Sequence, residues 1–520
     1  SPAMRLIDLF ERGLRYYPDR ACLIDESGEF SYREVAERSP QTANALLAGG
    51  LQLEDTVAIL SPNGAPAFEA WIGAARAGGA WVGLAALASI DENIYVINNR
   101  DSEWLFYHSS FEGEIHRIKA ECPKLRHVIC LDKPGLSHPH FREFIAEFGI
   151  RAPELPDYRD KVISHFTSGG TTGKPKGAMW SNLIWEAWCA SAYAHMPVKK
   201  PPVHLVATAM SHGAGVFAWP ALAYGGTIVC IPRAEPLLVL EAMHKYRVTH
   251  SFLPPTVIYM MLAMPEAKQF DFSALDYLVY GGAPMSADKV KQAIELFGPA
   301  MAQIYGQAEC PCTIGILSPE DHLEALSDPA KEKRLMSCGR PPVFTLVEMM
   351  DDDGNLVPQG EWGEIVVRGT FVSLGYYGDP EATAAVREHG WHHTGDIGYK
   401  DEDGFIYIVD RKKDMIISGG LNVFPIEIER LIWSHPAVQD CAVIGVPHDK
   451  WGEAVKAVIE LKDGEDATEA EIIALCKSKL SGYKVPKTVE VWDELPRSSV
   501  GKVLKRKVRE KFWVGHERKI

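Results

Sequence analysis

Ser168-Gly169-Gly170-Thr171-Thr172-Gly173-Lys174-Pro175-Lys176-Gly177 is the stretch from which the rest of the chain is best read. Glycines let backbone amides turn toward phosphate oxygens, Ser and Thr hydroxyls add donors, and the two lysines supply positive charge. The Walker A loop of nucleotide hydrolases does not fit. Ser168 stands where that pattern needs its first Gly, and Pro175 where it needs Ser or Thr after the Lys. A ligand-free Gly/Thr surface loop is the plainer alternative, and two lysines in the same loop weigh against it. Taken alone, the segment implies phosphate binding and nothing more specific.

On either side, helical and strand periods alternate. Val57-Ala58-Ile59-Leu60 reads as a buried strand, Ser61 to Gly64 as a turn, Ala65 to Ala77 as a helix, and Trp81 to Leu84 as the next strand. The order repeats at Val203 to Ala209, Trp219 to Tyr224 and Thr227 to Cys230. Apolar strands alternating with helices predict parallel sheets covered by helices. From about Glu361 the chain becomes β-rich, with runs at Glu364 to Arg368 and Phe405 to Val409. The acidic clusters Asp351 to Gly354 and Asp401 to Gly404 lack calcium-loop spacing and read as turns. A charged connector, Arg411 to Asp414, then precedes a compact α+β pattern.

The 520 residues exceed what one hydrophobic core accommodates, which predicts at least two domains. A net charge of -15 argues against nucleic acid as a partner, since duplex binding requires phosphate neutralisation. The exception is the basic run Lys502, Lys505, Arg506, Lys507, Arg509 and Lys511. This is either a solvated helix face or a lobe that meets an anion. Ten cysteines without regular spacing read as reduced and mostly buried. The Ala/Gly-rich stretch from Ala77 to Ile90 falls short of the ~20 residues that cross a bilayer. No membrane anchor or targeting signal is evident, so the expected location is cytoplasmic. Ser1-Pro2-Ala3 before Met4 reads as a cloning remnant. Nothing in the pattern fixes an oligomeric state.

The 168–177 segment resembles the Thr/Ser-Gly-Thr-Thr-Gly-x-Pro-Lys-Gly signature of the adenylate-forming superfamily, which includes acyl- and aryl-CoA synthetases, luciferases and peptide synthetase adenylation domains. The Gly169-Gly170 form, followed by Ala178-Met179-Trp180, looks most like the acyl-CoA synthetase branch. Further signatures follow in the family's order over essentially the whole chain. By resemblance, Ser168, Gly169, Gly170, Thr171, Thr172, Gly173, Lys174 and Lys176 bind ATP, with Thr171 also at the metal. The turn Gly281-Gly282-Ala283-Pro284 lines the adenine and the acyl pocket. Tyr305-Gly306-Gln307-Ala308-Glu309 resembles Tyr-Gly-x-Thr-Glu. There Tyr305 can stack on a purine and Glu309 can hold magnesium, while Ala308 lacks the usual hydroxyl.

Trp391-His392-His393-Thr394-Gly395-Asp396 resembles the Trp-x-x-Thr-Gly-Asp signature, in which Asp396 accepts the ribose hydroxyls. The adjacent His392 and His393 face opposite ways on a strand, which argues against a shared metal. Arg411 would also reach the ribose, and Lys413 is the hinge. Lys502, in Pro496-Arg497-Ser498-Ser499-Val500-Gly501-Lys502, is the family's catalytic lysine, whose ammonium offsets the repulsion between a carboxylate and the nucleotide phosphate. His212 sits where the family has an aromatic-His pair, although Ser211 replaces the aromatic. Gly213, Ala214 and Gly215 beside it suggest space for a ligand, with Gly281 as a further pocket residue. Ser418, Gly419 and Gly420 would line a CoA tunnel after the small domain rotates.

The expected fold is therefore α/β: a large multi-layer N-terminal domain over residues 1–410, with helix-covered sheets and a β-rich part, and a small mobile α+β domain over residues 411–520. The expected reaction joins a carboxylic acid to AMP with release of pyrophosphate, using ATP and Mg2+, and then passes the acyl group to CoA. Transfer to an amine or a carrier-protein thiol is the competing fate. A non-catalytic adenylate-binding protein and a phosphate-loop hydrolase are the remaining alternatives.

Overall fold

The computed structural model describes residues 3–168, 174–497 and 502–518. Among these residues the chain builds four sheets. In the six-stranded sheet the order runs His127–Cys130, Trp104–Tyr107, Thr56–Leu60, Ala80–Leu84, Val162–Thr167 and Gly177–Ser181. Its first five strands are parallel, joined through helices such as Ala65–Arg76, whose side chains from Ala65 to Arg76 are almost all buried. The last pair is antiparallel, and this departs from the all-parallel pattern that the alternating elements predict. A short hairpin replaces the crossover helix here, because the segment 168–176 is too short to carry one.

The eight-stranded sheet brings Tyr277–Gly281 beside Met301–Tyr305 in parallel register, so that both strands deliver their C-terminal ends to one edge. Between the sheets lies an aromatic core. Trp71 stacks on Trp81 with ring centroids 3.7 Å apart, and Trp185 and Trp219 meet Trp71 edge-on. Burying such rings is among the larger apolar contributions a core can make. The four-stranded antiparallel sheet is Leu346–Met350, Gly363–Arg368, His392–Lys400 and Ile406–Arg411. Both acidic clusters are turns closed by positive-φ glycines, Gly354 and Gly404.

Beyond Arg411 the chain forms a small α+β unit around a five-stranded sheet, with its own core that includes Ile416, Ile428, Val443, Ile459 and Cys476. It meets the four-stranded sheet through Phe424, edge-on to Trp362 at 4.9 Å. All ten cysteines are free thiols and eight are buried. Among the described residues no helix is long and apolar enough to cross a membrane.

Candidate active site

Ser168 and Lys176 close the neck of the phosphate loop: the Ser168 amide donates to the Lys176 carbonyl at 2.8 Å, one step beyond the paired Thr167 and Gly177. Lys176 reaches Asp379 at 3.2 Å, and the Lys174 ammonium lies over the Tyr95 ring at 4.8 Å. Gly169, Gly170, Thr171, Thr172 and Gly173 lie outside the described residues. Asp379 has no counterpart in the sequence reading. Its position before Pro380, capping the helix Pro380–Ala385, was the available signal, and that signal speaks of a helix start and not of a site.

The strand Tyr277–Gly281 ends in the Gly282 turn. Gly282 has φ +87°, a conformation that favours glycine, and a Cβ built there would lie 3.4 Å from Cε and 3.5 Å from Nζ of Lys502. The structure thus brings a lysine from the far end of the chain to the edge shared by the two central strands. Lys502 is exposed as a residue, yet protein crowds its ammonium end. That desolvation, with the nearby Arg411, lowers its pKa, while Asp396 opposes the shift. Ala283 and Pro284 are half-buried beside it.

Asp396 and Arg411 are cross-strand partners, with Arg411 Nη1 3.0 Å from Asp396 Oδ1. Asp396 is buried, and its Oδ2 accepts from the Tyr305 hydroxyl. Burial raises the Asp396 pKa, partly offset by Arg411, Tyr305 and Lys502. Gln307, given no role in the sequence reading, donates to the Thr394 carbonyl at 2.8 Å and also faces Asp396 Oδ2. His392 meets Gln307 on one side and His393 meets Glu364 on the other. Tyr305 is only 8% exposed, so its visible work is to anchor Asp396, and little of its ring is open for stacking. Gly306 allows a close backbone approach, since a Cβ there would fall 2.3 Å from the Cys312 amide nitrogen.

Glu309 is buried. Its Oε1 has no hydrogen-bond partner among the described residues, which leaves a carboxylate oxygen available for a cation. Its carboxylate, together with burial, pushes the Tyr376 phenol up.

His212 precedes the short helix Gly213–Val216, with Nδ1 2.9 Å from the Ser211 hydroxyl. Burial, aided by Lys502, lowers its pKa to about 4, so the ring is neutral at physiological pH. Gly213 is covered by Phe252, Ala214 is fully buried, and a Cβ on Gly215 would strike the Met210 carbonyl at 1.8 Å. Gly281 likewise sits against the Ile304 carbonyl and Phe252. These residues are small because backbone and ring pack onto them.

At the connector, Lys413 is pulled down to about 8 by burial and by Arg411. Ser418, Gly419 and Gly420 form a hairpin turn. It packs within the small unit: the Gly419 amide donates to the Trp451 carbonyl at 3.0 Å, and Ser418 pairs with Gly452.

Residues 10–377 match the model of the AMP-binding enzyme family, and residues 427–502 match the AMP-binding enzyme C-terminal domain. A medium/long-chain-fatty-acid–CoA ligase of Mycobacterium tuberculosis is 34% identical over 504 residues, covering 94% of this chain and 86% of that protein. A feruloyl-CoA synthase of Amycolatopsis sp. is 34% identical over 509 residues, covering 96% and 98%. Among solved structures, an amide bond synthetase from Marinactinospora thermotolerans superposes with a TM-score of 0.86 at 31% identity, covering 98% of this chain and all of that one. With these matches spanning both parts of the molecule, the chain belongs to the AMP-binding enzyme family.

Proposed function

We propose that this protein is an AMP-forming acyl-CoA ligase. It would join a carboxylic acid to the AMP of ATP with release of pyrophosphate and then transfer the acyl group to the thiol of CoA. The observation that carries this reading is the approach of Lys502 to the Gly282 turn, His212 and the Asp396–Arg411 pair. In the first step a substrate carboxylate oxygen attacks the α-phosphorus and the bond to pyrophosphate breaks. Two anions must approach each other, and negative charge grows on the leaving group. An ammonium held at that point lowers the barrier, and the neutral His212 lets the acid approach without a second fixed charge to desolvate.

Asp396 would accept the ribose hydroxyls. Arg411 and Tyr305 each use one lone pair of a different Asp396 oxygen, which leaves acceptor capacity on both. Ser168, Lys174, Lys176 and the intervening loop would hold the β- and γ-phosphates, with Gly282, Ala283 and Pro284 against the adenine. Glu309 fits a magnesium ion, and Thr171 is the further ligand that the family resemblance implies. The unpartnered Oε1 is a hard oxygen donor, and one carboxylate plus substrate phosphates is the usual Mg2+ set. When bound, the ion would neutralise phosphate charge.

The domain boundary is placed at 410/411, with rotation about Lys413. The separate core of the small unit supports this division. Rotation would withdraw Lys502 and bring Ser418, Gly419 and Gly420 to the cleft. There the CoA thiol would attack the acyl carbonyl, form the thioester and release AMP. Transfer to an amine is the second reading, favoured by the likeness to the amide bond synthetase. Product analysis after acid-dependent pyrophosphate release, with CoA and then with amines, separates the two. A thioester is expected. Amide formation with no thioester from any adenylated acid would overturn the ligase reading.

A further inference from the structure

Arg100 caps the C-terminal end of the helix Ile90–Asn99, and its side chain is turned beneath the neck of the phosphate loop. It is 1% exposed. Its guanidinium packs against Gly177, where a Cβ would lie only 2.3 Å from Nε, and Nη2 stands 3.5 Å from the Thr167 hydroxyl. Thr167 and Gly177 are the last paired rung before the loop. Nη1 donates to Asn99, while Nε has no hydrogen-bond partner among the described residues.

No carboxylate neutralises this charge among the described residues. The adjacent acid, Asp101, is turned to Lys124 at 2.5 Å and to the Tyr377 hydroxyl at 2.6 Å. Burial lowers its pKa to about 10, which leaves it cationic at neutral pH. A helix C-terminus offers about half a unit of negative charge, which offsets only part of the cost. A buried, unpaired cation destabilises a fold, and such groups persist where a ligand repays them. Lys174 and Lys176 stand within three residues of Gly177, in a chain whose net charge is -15.

We propose that Arg100 is a positioning residue for the nucleotide's terminal phosphates, a buried positive charge at the root of the phosphate loop whose counter-charge is the bound ATP. This rests on the reading of residues 168–177 as a phosphate loop. The test compares the wild-type chain with Arg100→Met and Arg100→Lys, measuring affinity for MgATP and for adenosine, together with the melting temperature without nucleotide. In Arg100→Met, MgATP affinity should fall about tenfold. Adenosine affinity should stay unchanged, and the melting temperature should hold or rise, because an unpaired buried charge has been removed. Arg100→Lys, which keeps the charge, should retain most of the MgATP affinity.

Unchanged MgATP affinity in Arg100→Met overturns the proposal. So does a joint loss of MgATP and adenosine binding with a lower melting temperature, since that pattern marks a structural residue. A lysine variant as impaired as the methionine variant overturns it as well. Failure of the wild-type chain to bind MgATP would instead remove the phosphate-loop reading beneath the proposal, and the proposal with it.

Discussion

Asp396 and Arg411 face each other across neighbouring antiparallel strands, 3.0 Å apart, with the Tyr305 hydroxyl on the carboxylate's other oxygen. The pairing fixes the carboxylate in a single orientation before any ribose arrives. Asp396→Asn should weaken ATP binding by about tenfold to a hundredfold, the worth of hydrogen bonds to a charged group. It should also erase the preference of ATP over its 2′-deoxy analogue. Competition binding of the two nucleotides checks this.

The same carboxyl has a raised pKa because it is buried. A group whose pKa is higher folded than unfolded holds its proton more tightly in the fold. Its contribution to stability is therefore full at low pH and is lost as pH rises through the folded value. Nucleotide binding has the opposite dependence, since only the ionised form accepts two hydroxyls. ATP affinity should fall with acidification at a higher pH than an ordinary carboxylate dictates, and Asp396→Asn should flatten that limb. A pH series of ATP affinity for both proteins is the measurement.

Lys502→Ala should lower acid-dependent pyrophosphate release by roughly a hundredfold to a thousandfold, as loss of a charge-stabilising donor does. ATP binding should survive. Because the lysine's pKa is depressed, the wild-type rate should decline on the alkaline side below the range of a free lysine. Stopped-assay pyrophosphate rates beside ATP affinity separate the two effects; near-normal rates in the alanine variant would remove Lys502 from the reaction.

Glu309 carries a buried oxygen without a hydrogen-bond partner among the described residues. Glu309→Gln should raise the magnesium concentration needed for half-maximal pyrophosphate release by about tenfold or more and leave metal-free adenosine binding intact. A magnesium titration of both proteins is decisive.

Arg518 pins the C-terminal side of the connector. It donates to the carbonyls of Lys413 at 2.7 Å and Met415 at 2.9 Å, and to Glu453 at 2.9 Å. On the other side, the Lys412 amide is held by the Gly395 carbonyl at 3.0 Å. Between the two anchors the Asp414 amide closes a turn on the Arg411 carbonyl at 3.1 Å. Arg518→Ala should loosen the connector, speed tryptic cleavage at residues 411–413, and slow full turnover more than single-turnover adenylation. Unchanged cleavage would mean that the clamp does not delimit the pivot.

The strand-to-turn transitions around Leu60, Gly282 and Gly404 were legible because periodicity and turn chemistry are local. The motif residues Asp396, Arg411 and Lys502 were legible as a set only through resemblance. Their convergence depends on sheet order and on where the small unit docks, which no local pattern encodes. Gln307, Asp379 and Arg100 escaped for the same reason: each acts through a partner distant in sequence. The small residues near His212 carry no single reading in the sequence, because a glycine permits a cavity and a close packing contact equally well. Only Phe252 and the Met210 carbonyl, brought there by the fold, decide between them.

The most direct test of the central claim is the nucleotide balance of the purified protein with ATP, magnesium, CoA and a panel of carboxylic acids. The account predicts AMP and pyrophosphate in equal amounts, formed only when an acid is present and matched by acyl-CoA. Production of ADP, or ATP consumption that does not depend on the acid, would contradict it.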